Sequence, residues 1–287
     1  MMFKICVHQF KLTLFSPRTC IALFFGCVIQ IISAMPLLEF SMALGKPLCI
    51  FDSFIYFNCD IFTAAAAFLG MILFVSDIPF SSQNETYTLL RVSRRQWVFG
   101  KALYLLCACA AYYFVVMVVG MLYIAENAYI GNIWSEPLYF LVKNPNSQLA
   151  TDFSMYFPYS HVLLLTPLQA TVTSFGLSVA YSFVMSLFIF WFNLKLPRVI
   201  SYVFAIMIHE IGYLMTAVFL SLFYVKFSLF GNSLLMYHEI KGYDNSAVFT
   251  SLPQSFMIYG ICGVILLYLI TRAIHKYDFK ITVGTKQ

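Results

Sequence analysis

Residues 102–124 read ALYLLCACAAYYFVVMVVGMLYI, a run from Ala102 to Ile124 with no Asp, Glu, Lys or Arg. A helix needs about 20 mostly apolar residues to cross a hydrocarbon layer of about 30 Å, so this stretch by itself predicts a membrane span. A search for further mostly apolar stretches, moved outward along the chain, finds five more windows: 19–38, 54–75, 170–192, 199–225 and 256–270, of which 54–75 contains Asp60 and 199–225 contains Glu210. The whole 287-residue chain is 61% hydrophobic and 10% charged, with 31 Phe and 19 Tyr. Soluble domains carry roughly 25% charged residues, so a water-soluble fold is excluded. The expected fold class is all-α: a single polytopic transmembrane domain of six helices over residues 1–287.

The few charges orient these spans. With the amino terminus placed in the cytoplasm, residues 1–18, 76–101, 193–198 and 271–287 become internal and hold 13 of the 17 Lys and Arg residues. That asymmetry follows the positive-inside rule and predicts that both termini are cytoplasmic. The net charge of +5 therefore reports topology rather than nucleic-acid binding. Within residues 1–18, Phe3, Cys6, Val7, Phe10 and Leu14 follow helical spacing while Lys4, His8 and Lys11 share another face. An amphipathic helix on the cytoplasmic surface is expected, ended by Pro17. The first span reads as a retained signal anchor. The outer loops, about 125–160 and 226–254, carry Trp134, Tyr139, Tyr156, Tyr237 and Tyr243, which suit the headgroup region.

Most of the eight cysteines lie in apolar stretches, where Cys acts as a small buried hydrophobe. Cys49 and Cys59 could meet near one face, although spacing alone fixes no disulfide geometry. No phosphate-binding loop is present: Gly45-Lys46 and Gly100-Lys101 are followed by Pro and Ala and lack the preceding Gly that the pattern requires.

Between the second and third spans, Pro79 breaks the incoming helix, and Ser82 with Glu85 forms a capping-box pattern that predicts a short new one. The segment Asn84-Glu85-Thr86-Tyr87-Thr88-Leu89-Leu90-Arg91-Val92-Ser93-Arg94-Arg95-Gln96-Trp97-Val98-Phe99-Gly100-Lys101 resembles the first cytoplasmic loop of type-2 ABC transporter permeases. Members of that family tend to show an acidic residue, paired aliphatics, Ser-Arg, an aromatic and Gly-Lys before the third span. Where they often have Gly-Thr, Tyr87-Thr88 stands here. The resemblance implies a coupling helix seated on a separate ATPase subunit, with Glu85, Arg91, Arg94 and Arg95 in polar contact and Trp97 at the membrane edge. It also implies a second permease subunit, no cofactor on this chain, and ATP with Mg on the partner. Topology anchoring is the simpler reading of each arginine taken alone.

Ionisable groups inside a span cost roughly 2.5–3.5 kcal/mol each near its centre, so each needs a reason. Asp60 lies within two turns of the outer end of its window, where it could be solvated or line a route. His209-Glu210-Ile211-Gly212-Tyr213 evokes the zinc-hydrolase pattern His-Glu-x-x-His, but Tyr213 replaces the second histidine. Consecutive helix positions point about 100° apart, so one of His209 and Glu210 faces the bundle and the other a seam or cavity. A hydrogen-bonded pair that only ties helices is the simpler alternative.

The expected function is the permease subunit of an ATP-driven exporter in a bacterial inner or plasma membrane. Asp60, His209, Glu210 and Tyr213 would lie at the translocation route or subunit seam, and the cargo would be an amphipathic or lipid-associated molecule such as an antimicrobial peptide or drug. A passive immunity or sensor protein, and an intramembrane hydrolase using His209 and Glu210, are the other readings.

Overall fold

The computed structural model describes residues 2–75, 78, 92–217, 222–240 and 250–276. The chain forms α1 (Met2–Thr13), α2 (Pro17–Leu44), α3 (Asp52–Cys59), α4 (Ile61–Phe74), α5 (Arg94–Ile124), α6 (Glu136–Lys143), α7 (Gln148–Asp152), α8 (Pro167–Asn193), α9 (Arg198–Ala217), α10 (Leu222–Phe227) and α11 (Leu252–Lys276). Among the described residues five of these, α2, α5, α8, α9 and α11, are long and apolar enough to cross a membrane, and α3 with α4 reaches that length only when the bent pair is counted as one, which makes five to six.

Capping chemistry explains several of the boundaries. Ser16 accepts from the Thr19 amide with Pro17 at the first turn of α2, and Gly45 closes that helix in the left-handed region at φ 63°. Thr166 and Gln169 form a reciprocal capping box at the start of α8. Ser93 accepts from the Gln96 amide and starts α5 at Arg94, eight residues before the expected span at 102.

The largest departure is in the expected span over 54–75. Asp60 stands in extended conformation between α3 and α4, its Oδ2 accepting from the Thr63 amide at 2.9 Å, and the two helices meet at 93°. At 1.5 Å per residue, the 14 residues of α4 reach about 21 Å, short of a full crossing. The window over 199–225 also divides: α9 ends at Ala217, and residues 228–234 return against it. Short parallel pairings, Leu48–Cys49 with Ala128–Tyr129 and His238–Glu239 with Thr250–Ser251, add a little strand to the expected all-helical chain. Cys49 and Cys59 are free thiols.

α8 is the axis of the bundle: 61% of its apolar window is buried, against 28–39% for the other long helices. A helix that is apolar all round belongs inside. Ser174, Ser178, Ser182 and Ser186, four residues apart and all buried, let neighbouring helices approach it closely. Between α2, α4 and α5, the buried Tyr112 hydroxyl donates to the Ala67 carbonyl at 2.8 Å. A Cβ on Gly26 or Gly70 would collide with that hydroxyl.

α1 and the end of α11 lie at the same end of the bundle. Arg94, first in α5, donates to the Ile274 and His275 carbonyls, while Lys101 of α5 donates to Gln9 of α1.

Candidate functional site

Four elements meet around His209. α9 carries the imidazole inward, where it is 0% exposed, and the Tyr181 hydroxyl of α8 lies 2.8 Å from its Nδ1. Phe68 of α4 packs on the ring with centroids 4.4 Å apart, and Phe230 of the returning segment closes the other side at 5.0 Å. Among the described residues Nε2 has no close hydrogen-bond partner, and the Ala65 backbone faces the ring. A buried polar nitrogen left unpaired is costly.

The return of Phe230 depends on Gly212. A Cβ there would stand 3.1 Å from Phe230 Cβ, tighter than ordinary packing. The Gly212 carbonyl accepts from Ser228 Oγ at 3.0 Å and from Thr216 Oγ1 at 2.7 Å, which pins the segment one turn beyond His209. Asn232 fastens the rest: its amide donates to the Lys226 and Ser228 carbonyls and its oxygen accepts from Thr250 and Ser255.

Beside Tyr181 lies a cavity of about 10 Å³ whose polar wall is Asn58, Tyr113, Ser178, Tyr181 and Ser233. That is about the volume one water needs. Ser178 donates to Asn58 Oδ1 at 2.9 Å and Ser182 to the Tyr113 hydroxyl at 3.1 Å. A buried polar seam thus runs beside α8 from the α3–α4 bend toward the middle of the bundle.

Glu210 points the other way. It is exposed, among the exposed Val203, Phe204, Met207, Ile211 and Leu214, and no described side chain pairs with it. His209 and Glu210 therefore divide as the helical angle requires, and they cannot act together on one bond. Tyr213 is half-buried, its ring 6.4 Å from Phe230. Asp60 caps α4 at the bend, away from the imidazole's own contacts. The structure thus gathers His209 and Tyr213 around Phe230 and leaves Asp60 and Glu210 apart.

At the opposite end of α5, Arg94 reaches the carbonyls of Ile274 at 3.1 Å and His275 at 2.7 Å, which places a cation on the negative end of α11. Arg95 is exposed on the next position. Trp97 faces the interior of the bundle: it is fully buried, edge-on to Phe190 at 5.8 Å, with Lys101 Nζ 5.6 Å from its ring centre. Glu85 and Arg91, with the capping pattern at Ser82, lie outside the described residues.

Sequence reasoning passed over Tyr181, Asn58, Tyr113 and Phe230. The four-residue spacing of serines along α8 was a readable sign of a buried polar stripe; an isolated Tyr or Phe in an apolar run carries none. Compared with the known protein families, with curated proteins and with solved structures, the chain finds no match in any of the three.

Proposed function

We propose that the chain is the membrane subunit of an ATP-driven exporter, working with a separate ATPase and a second permease subunit. The observation that carries this reading is Glu210. A carboxyl in the middle of a span, on a face the described residues leave uncovered, costs about 2.5–3.5 kcal/mol unless something polar meets it. A second subunit or an aqueous route between two subunits supplies that cover. The exposed Arg95, in the part of the coupling-loop-like sequence that begins α5, lies at the basic end of the bundle, where the ATPase would bind from the cytoplasm.

In this account the Phe230 segment and the α3–α4 bend close the bundle toward the outer side, and ATP-driven closure of the partner moves the loop and α5 to open it. The exposed carboxyl and the aromatic, weakly charged interior suit an amphipathic or lipid-associated cargo. Glu85→Ala tests the assignment: ATP-dependent export should fall while the chain still reaches the membrane, and undiminished export would remove the coupling role of this loop.

A further inference from the structure

α1 is held to the bundle by one face only. Ile5, Cys6, Gln9 and Thr13 are buried against α5, where Gln9 accepts from Lys101, the Thr13 hydroxyl lies 2.9 Å from that of Tyr104, and a Cβ on Gly100 would stand 2.9 Å from Ile5 Cβ. Two further faces remain open. Phe3, Val7 and Leu14, spaced by four and seven residues, form an exposed apolar side on which Phe3 is 70% accessible; Phe15, just past the helix, is 86% accessible. Lys4, His8 and Lys11 form the adjoining exposed side. Lys4 and Lys11 are two turns apart, about 10 Å along the axis.

No acidic residue precedes Glu39 in the chain. At this end of the bundle the described residues expose Lys4, Lys11, Arg95, Lys195 and Arg272 and no carboxylate. The apolar side and the basic side therefore meet a surface that is itself apolar beneath and anionic above, which is the chemistry of an acidic phospholipid leaflet.

We propose that α1 is a docking site for anionic phospholipid headgroups, with Phe3, Val7 and Leu14 entering the leaflet and Lys4 and Lys11 holding the phosphates. Because α1 grips α5 at Gly100, Lys101 and Tyr104, lipid capture also steadies the first turns of α5. The proposal needs only a chain embedded in a membrane and stands apart from the exporter reading.

The test is thermal unfolding of the full chain in nanodiscs of phosphatidylcholine alone and of phosphatidylcholine mixed with phosphatidylglycerol, at low and high salt. Phosphatidylglycerol should raise the midpoint at low salt, and high salt should erase the rise. Lys4→Gln with Lys11→Gln should weaken capture about thirtyfold, roughly fivefold per lysine, and abolish the shift. Lys4→Arg with Lys11→Arg should keep it, and both variants should match the unsubstituted chain in phosphatidylcholine. Equal midpoints in the two lipids, or a shift that survives the glutamine substitutions, overturns the proposal.

Discussion

The Tyr181 hydroxyl lies 2.8 Å from Nδ1 of His209, and this one hydrogen bond joins the most buried helix of the bundle to the helix that carries the exposed Glu210. Tyr181→Phe should deprive the buried imidazole of its Tyr181 hydrogen bond. The expected cost is about 1–3 kcal/mol, read as a lower unfolding midpoint. Tyr181→Phe with His209→Phe should recover part of the loss, since removing both partners removes the unpaired group. Equal stability of Tyr181→Phe and the unsubstituted chain would show that the bond contributes nothing.

Gly70 and Gly26 face the Tyr112 hydroxyl from opposite helices. Gly70→Ala should overpack this contact and destabilise by about 1–3 kcal/mol. Gly70→Ala with Tyr112→Phe should be milder than Gly70→Ala alone, measured by the same unfolding midpoint, because the colliding oxygen is gone.

Arg94→Ala should release the last turn of α11 by removing two hydrogen bonds and a favourable charge at its carboxyl end. About 1 kcal/mol is expected at this largely solvated position. Faster amide hydrogen exchange over residues 270–276, with little change elsewhere, is the observation that checks it. Arg94→Lys should restore the charge but not the paired contact with Ile274 and His275.

His238 titrates outside the spans. Burial pushes its pKa down to about 4, against the pull of the Leu234 and Leu235 backbone groups, and His161 nearby is lowered by burial as well. A histidine with a folded pKa below its unfolded value near 6.5 contributes stability above pH 6.5 and loses it as pH falls toward 4. The expected loss is about 3 kcal/mol for His238 across that window. His238→Gln should flatten the stability profile between pH 6.5 and 4, while a profile as steep as that of the unsubstituted chain would assign the effect to other groups.

The spans were legible because a lipid environment makes uncharged length the governing signal, and α8 was found over Pro167–Asn193 where 170–192 was expected. The break at Asp60 was not. A carboxylate near a span end looks the same in sequence whether it is solvated or caps a helix, and only the Thr63 amide decides. Trp97 beside arginines reads as an interfacial anchor, yet Ser93 starts α5 early enough to carry the ring into the bundle against Phe190. The division of His209 inward and Glu210 outward was legible from the helical angle, but Tyr181 and Phe230 come from segments 28 and 21 positions away, a distance no local pattern spans.

Glu210 should mark the face where two subunits meet. Met207, three residues earlier and exposed on the same side, offers the probe: Met207→Cys should give a disulfide-linked dimer in native membranes under mild oxidation, beyond any background from the eight natural cysteines. Glu210→Gln should weaken that cross-link if the carboxyl helps hold the seam. A monomer in both cases would leave Glu210 to be covered by something other than a second copy.

The exporter account rests on a partner that hydrolyses ATP. Purifying the tagged chain from its own membrane under mild detergent and measuring ATP hydrolysis in the eluate tests this most directly. The account predicts a co-purifying ATPase subunit, in numbers equal to this chain, whose activity falls when Glu85 is replaced by Ala. A chain that elutes with no ATP-hydrolysing partner from membranes in which it is functional would contradict it.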